Sequence, residues 1–69
     1  MAVSYKKLFK LLIDKDLKKK DLQVNANLSQ YVMRKLNKNE AITTDSLAKI
    51  CRYLECSVDD IIEILPEDV

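Results

Sequence analysis

The side chains that could do chemistry in this sequence are amides, hydroxyls and positive charges, and they are clustered. Lys18, Lys19 and Lys20 stand together, and Arg34, Lys35 and Lys38 follow after an apolar interruption. Gln30, Tyr31, Asn37 and Asn39 are interspersed among them. Between residues 18 and 38 six basic residues meet a single acid, Asp21. Such a set donates hydrogen bonds and attracts anions, which suits a polyanion surface rather than a reaction centre. Catalytic chemistry is poorly supplied. There is no His, so no imidazole can serve as base or metal ligand. The two cysteines, Cys51 and Cys56, are spaced C-x4-C and cannot by themselves close a tetrahedral zinc site. No enzyme activity, metal or cofactor is expected.

The formal net charge of +1 hides a segregation along the chain. Residues 1–38 carry ten Lys and Arg against three acids, and residues 39–69 carry two against eight. One face of a small dipolar domain can then meet a polyanion while the other faces solvent or a second protein. At 69 residues the chain is one domain, 1–69, with a thin margin for burying a core. Its 48% apolar and 33% charged residues fit a compact globule rather than a disordered tail. Two cysteines are too few for a disulfide scaffold, so a reducing cytoplasm is expected. No apolar run approaches the roughly 20 residues of a membrane span, and no signal-peptide pattern is present. The basic N-terminal segment resembles a peripheral membrane helix, but its apolar stripe is needed for the core.

The elements that must position these groups read as helices. Gly is absent, Pro66 is the only proline, and apolar spacings of three and four recur throughout. Ser4 is expected to cap a first helix with the stripe Tyr5, Leu8, Phe9, Leu12 and Ile13, leaving Leu11 partly exposed. A second helix should run from about Lys19 to Ala26 with Leu22 and Ala26 inward. Ser29 caps a third, from Gln30 to about Asn37, with Met33 and Leu36 inward and Leu28 packed just before it. Thr43 or Thr44 caps a fourth carrying Leu47, Ile50, Cys51 and Leu54. Ser57 with Asp60 forms a capping-box start for a fifth, carrying Val58, Ile61, Ile62 and Leu65, which Pro66 helps to stop. Cys51 then packs as a small hydrophobe, and Cys56 lies more accessibly in a link.

Only Asn27, Leu28 and Ser29 separate the second helix from the third. A joint this tight makes the helices cross steeply and usually needs a residue at positive φ, where Asn is the most tolerant choice after Gly. Asn27 occupies that point, and Asn39 the equivalent one after the third helix. With the motif started at Lys19, the apolar positions Leu22, Ala26, Leu28, Met33 and Leu36 resemble those of the Cro/repressor-type (XRE-family) helix-turn-helix regulators. The run Ile42-x4-Leu47-Ala48-x-Ile50-Cys51-x2-Leu54-x-Cys56-Ser57-Val58-Asp59-Asp60-Ile61-Ile62 is similar to the family's downstream helices. The resemblance spans about Leu8 to Leu65. Two positions depart from it: Gln23 stands where a small residue is usual, and Asn27 where Gly is.

The resemblance implies a compact all-α, five-helix, lambda-repressor-like domain that binds double-stranded DNA through the major groove. It places base reading on Gln30, Tyr31 and Lys35 with Arg34 beside them, and the chemistry is apt: Gln pairs with adenine, and Arg or Lys with guanine. Phosphate contacts are expected from Lys18 and Lys19 at the start of the second helix, and from Asn37, Lys38 and Asn39 after the third. Asp21 is expected to face away from DNA. Members of the family usually bind as two-fold dimers, and Ile64, left outside the stripe of the last helix, is the candidate for a homodimer contact. The expected role is that of a bacterial or prophage transcriptional regulator, a repressor by family analogy. A protein-interaction helix-turn-helix, such as an antitoxin or anti-repressor, is the alternative.

Overall fold

The computed structural model describes residues 2–66. Four helices follow a short strand, β1 (Ala2–Ser4): α1 (Lys6–Asp14), α2 (Lys19–Asn25), α3 (Gln30–Asn37) and α4 (Thr44–Leu54). A single 3-10 turn (Val58–Asp60) then leads into a second strand, β2 (Glu63–Leu65). The helices enclose one core in which Tyr5, Leu8, Leu22, Leu36, Ile50 and Ile61 are fully buried. Val3, Leu12, Ala26, Leu28, Met33 and Leu54 complete it, so the inward positions expected of α2, of α3 and of the turn between them are the ones observed. On α4, Ile50 and Leu54 are buried, while Leu47 and Cys51 are half-buried at the core's edge.

The helix starts follow side-chain chemistry. The Ser29 hydroxyl accepts from the Val32 N–H at 3.2 Å, and the Thr43 hydroxyl accepts from the Ser46 N–H at 3.2 Å. Each satisfies one of the donors a helix leaves open at its first turn. At α1 the cap position is Tyr5 rather than Ser4, because Ser4 belongs to β1. Its hydroxyl still accepts from the Lys6 N–H at 3.3 Å.

The helix ends share one device. Leu17 N–H donates to Leu12 C=O, Leu28 to Gln23, Glu40 to Lys35 and Cys56 to Cys51, each reaching back five residues. In each case the residue before the donor is left-handed: Asp16, Asn27, Asn39 and Glu55, with φ between 54° and 58°. This backward bond satisfies carbonyls the helix cannot, and it normally calls for Gly. With no Gly in the chain, two Asn, one Asp and one Glu take the conformation instead. The same device explains why Ile13 is 75% exposed instead of inward. The chain reverses at Asp16 and delivers Leu17, partly buried, against the core at the end of α1.

The expected fifth helix does not form. Its capping group is present, since the Ser57 N–H and hydroxyl both lie 3.1 Å from Asp60 Oδ2, but helical structure ends after one 3-10 turn. Of its expected stripe only Ile61 is fully buried, and Val58 is 44% exposed. The following residues extend and pair antiparallel with β1, matching Ala2 with Leu65, Val3 with Ile64 and Ser4 with Glu63. Three features favour this outcome: β-branched Ile64 suits a strand, Pro66 offers no N–H to continue a helix, and β1 supplies open hydrogen-bonding groups. The architecture is therefore mostly helical, with a small two-stranded sheet that joins the two end segments.

Candidate nucleic-acid interface

The pair α2–α3 is fixed from inside by Leu22, Ala26, Leu28, Met33 and Leu36, and from its own backbone by the left-handed Asn27. Gln23 is half-buried at the rim, so the larger side chain is accommodated at the edge of the crossing. At the start of α2 the Lys18 N–H donates to Asp21 Oδ2 at 2.9 Å. Asp21 is half-buried and engaged with its own helix terminus, where a carboxylate is favourable.

Burying Met33 and Leu36 turns the opposite side of α3 outward. Gln30 and Arg34 are exposed, and Tyr31 is 63% exposed. Lys35 has a half-buried stem, and its Nζ lies 4.9 Å from the centroid of the Tyr31 ring. This one-turn pair is held by attraction of the ammonium to the ring face. Beside it a shallow cleft of about 270 Å3 opens between α3 and the start of α4, with Tyr31, Val32, Lys35, Ile42 and Thr43 in its walls. A surface of this kind offers an amide, a phenol and two cations along one helix, which matches the donor and acceptor pattern of base edges.

Lys18, Lys19, Asn37, Lys38 and Asn39 are all exposed. Lys19 and Asn37 meet directly, with Nζ donating to Oδ1 at 2.9 Å, and the same Nζ sits 4.7 Å from the centroid of the Phe9 ring. Asn39 is held differently: its Oδ1 accepts the Tyr5 N–H at 3.0 Å. The Tyr5 hydroxyl donates to Glu40 C=O at 2.7 Å. Burial raises the Tyr5 phenol above its ordinary pKa, with the Ile42 N–H and the Lys35 charge partly offsetting it, so it remains a proton donor through neutral pH. Among the described residues the ion pair observed joins Lys49 to Asp45 on α4 at 3.6 Å, and none involves a base of α2 or α3. Ile64 lies apart from this group, 58% exposed on β2 rather than on a helix.

Two residues of this region escape a reading of the sequence. Phe9 is assignable to the core stripe of α1, and nothing local marks its ring as a seat for Lys19. Tyr5 also belongs to that stripe, but its polar partners lie 34 and 35 residues away, so no spacing rule reaches them. Among the described residues no group of three or more His, Cys, Asp or Glu is placed to hold a metal ion. No helix among them is long and apolar enough to cross a membrane.

Residues 7–67 match the family model of the Cro/C1-type helix-turn-helix DNA-binding domain. Among solved structures the chain is similar to the transcriptional regulator VanUg in its crystal form II. The two are 50% identical, with a TM-score of 0.92 over 96% of this chain and 88% of that one. A comparison with curated proteins finds no match.

Proposed function

Because the chain belongs to the Cro/C1-type helix-turn-helix DNA-binding family, we propose that it represses transcription by seating α3 in the major groove of an operator as a homodimer. The observation that carries the reading is the outward row Gln30, Tyr31, Arg34 and Lys35, the first three exposed and Lys35 half-buried, on a helix whose other side, Met33 and Leu36, is buried in the core. Gln30 pairs with an adenine edge, Arg34 and Lys35 with guanine, and Tyr31 packs on a thymine methyl or donates to a phosphate. Lys18, Lys19, Asn37, Lys38 and Asn39 bind the backbone on either side and set the docking angle without reading sequence. Similarity to a solved transcriptional regulator supports the regulatory role. The site of action is the bacterial cytoplasm, where Cys51 and Cys56 remain free thiols as they are here.

A single module of this size buries roughly 600–1,000 Å² on DNA, too little for strong operator selectivity. A two-fold dimer reading half-sites about 34 Å apart overcomes that limit. Ile64 is the contact assigned to the dimer: an exposed apolar residue on a short strand, suited to meeting its own copy. Repression follows from steric exclusion of polymerase at the occupied operator.

The test is fluorescence anisotropy of the purified chain against randomised duplex DNA at two salt concentrations, followed by sequencing of the retained fraction. Salt-sensitive binding that enriches a short inverted repeat is the expected result. Enrichment of a lone half-site overturns the dimer. No binding at low salt overturns the DNA reading and directs the search to a protein partner.

A further inference from the structure

The loop that follows α3 contains two of the residues assigned to phosphate, Lys38 and Asn39, and its backbone is tied at several points. Lys38 N–H donates to the carbonyls of Arg34 and Lys35, Asn39 N–H to that of Leu36, and Glu40 N–H to that of Lys35. These bonds are local and fasten the loop only to the helix it leaves. The sole fastening to another part of the chain among the described hydrogen bonds of Asn39 and Glu40 is Tyr5. Its N–H donates to Asn39 Oδ1 at 3.0 Å and its hydroxyl to Glu40 C=O at 2.7 Å. Tyr5 is itself fully buried, at the junction of β1 and α1.

We propose that Tyr5 is a positioning residue for DNA binding, fastening the loop after α3 so that Lys38 and the Asn39 amide meet a backbone phosphate without prior rearrangement. The inference rests on the DNA-binding reading above. Its chemistry is specific. With Oδ1 engaged inward, the exposed Asn39 presents its Nδ2 donor rather than an acceptor, the polarity a phosphate oxygen requires. Fixing Glu40 from the core side limits the excursions of Lys38, two residues earlier, so less conformational freedom is lost when it docks. Tyr5 never touches DNA; its effect passes through the loop.

The experiment is a double-mutant cycle on affinity for one fixed duplex, using Tyr5→Phe, Lys38→Ala and the combination, well below every melting temperature. Tyr5→Phe keeps the ring and removes only the hydroxyl. It is expected to weaken binding about three- to tenfold and to make the plot of log affinity against log salt shallower by up to about 0.9, the share of one phosphate. Lys38→Ala should do the same, and the double variant should lose little more than either alone, because both act on one contact. A merely structural role lowers the melting temperature and leaves affinity and salt slope unchanged in the folded protein. Additive effects, or an unchanged slope in Tyr5→Phe, overturn the proposal while leaving DNA binding intact. Absence of salt-dependent binding by the unsubstituted chain overturns the DNA-binding reading, and the proposal with it. If Tyr5→Phe does not fold, amide exchange at Lys38, Asn39 and Glu40 of the unsubstituted chain decides: protection already present without DNA and unchanged on binding supports the proposal, and protection gained only on binding DNA overturns it.

Discussion

Lys19 and Asn37 meet across the start of α2 and the end of α3, and the Lys19 ammonium is seated over the Phe9 ring of α1. One exposed cation of α2 thus touches two other helices, α1 and α3. Held this way, Lys19 is a poor candidate for sequence discrimination and a good one for a fixed point on the DNA backbone. Lys19→Ala and Lys38→Ala should weaken binding to all duplexes alike and each reduce the salt slope by about one. Titrations at 50 and 200 mM salt with two unrelated sequences check this. A loss confined to one sequence contradicts it.

Gln30→Ala and Lys35→Ala should behave in the opposite way. Each is expected to relax preference at particular base pairs by about 1–3 kcal/mol while leaving the non-specific floor nearly unchanged. Because Lys35 lies over Tyr31, Tyr31→Ala should also relax the position read by Lys35, and Tyr31→Phe should not. Selection from randomised duplexes with each variant measures this directly.

Glycine is missing where the backbone most favours it. Glu55 and Asp16 are left-handed, with φ of 54° and 58°, and among the described residues neither side chain makes a hydrogen bond that would explain the choice. Relief of the left-handed strain is worth about 1–2 kcal/mol and exceeds the added chain entropy of Gly, roughly 0.5–1 kcal/mol. Glu55→Gly and Asp16→Gly should therefore each raise the melting temperature by a few degrees. A fall in thermal melts would show that a side-chain contact outweighs the backbone.

Cys56 offers a pH test. Burial, followed by the neighbouring Cys51, lifts its thiol from 9.0 to about 11, so the folded chain keeps the proton longer than the unfolded one. This contribution to stability is complete below pH 9 and declines as pH rises from about 9 to 11. Alkylation by iodoacetamide at pH 8 should accordingly be slower in the folded protein than in urea. Equal rates in both states contradict the shift.

What could be read from the sequence was whatever repeats every three or four residues. Leu22, Ala26, Met33 and Leu36 fix the orientation of the two motif helices, and Ser29 and Asn27 mark the joint between them by local chemistry alone. The sheet was illegible for the complementary reason: its strands are three residues each and their pairing spans nearly the whole chain. Val58, Ile61, Ile62 and Leu65 fit a helical stripe, but a backbone partner at the other end of the chain outcompeted it. Ile13 also fits its stripe, and was displaced by Leu17, which the left-handed Asp16 carries back to the core. At the interface the exposed row on α3 follows from periodicity, whereas the support of Lys19 by Phe9 and of Asn39 by Tyr5 depends on tertiary contacts.

The pairing of β1 with β2 also sets an order of assembly. The helices and their backward-bonded ends close over a few residues each, whereas the strands pair residues as far apart in sequence as Ala2 and Leu65. Distant contacts are reached late, because the search for them is the costlier in entropy. The motif helices should accordingly form before the end segments zip together, and those segments should be the first to open. In native-state hydrogen exchange, amides of β1 and β2 should exchange faster than those around Ile50 in α4. The molecule then has a rigid centre and a seam that closes last, and Tyr5, buried in the core immediately after β1, stands where the two meet.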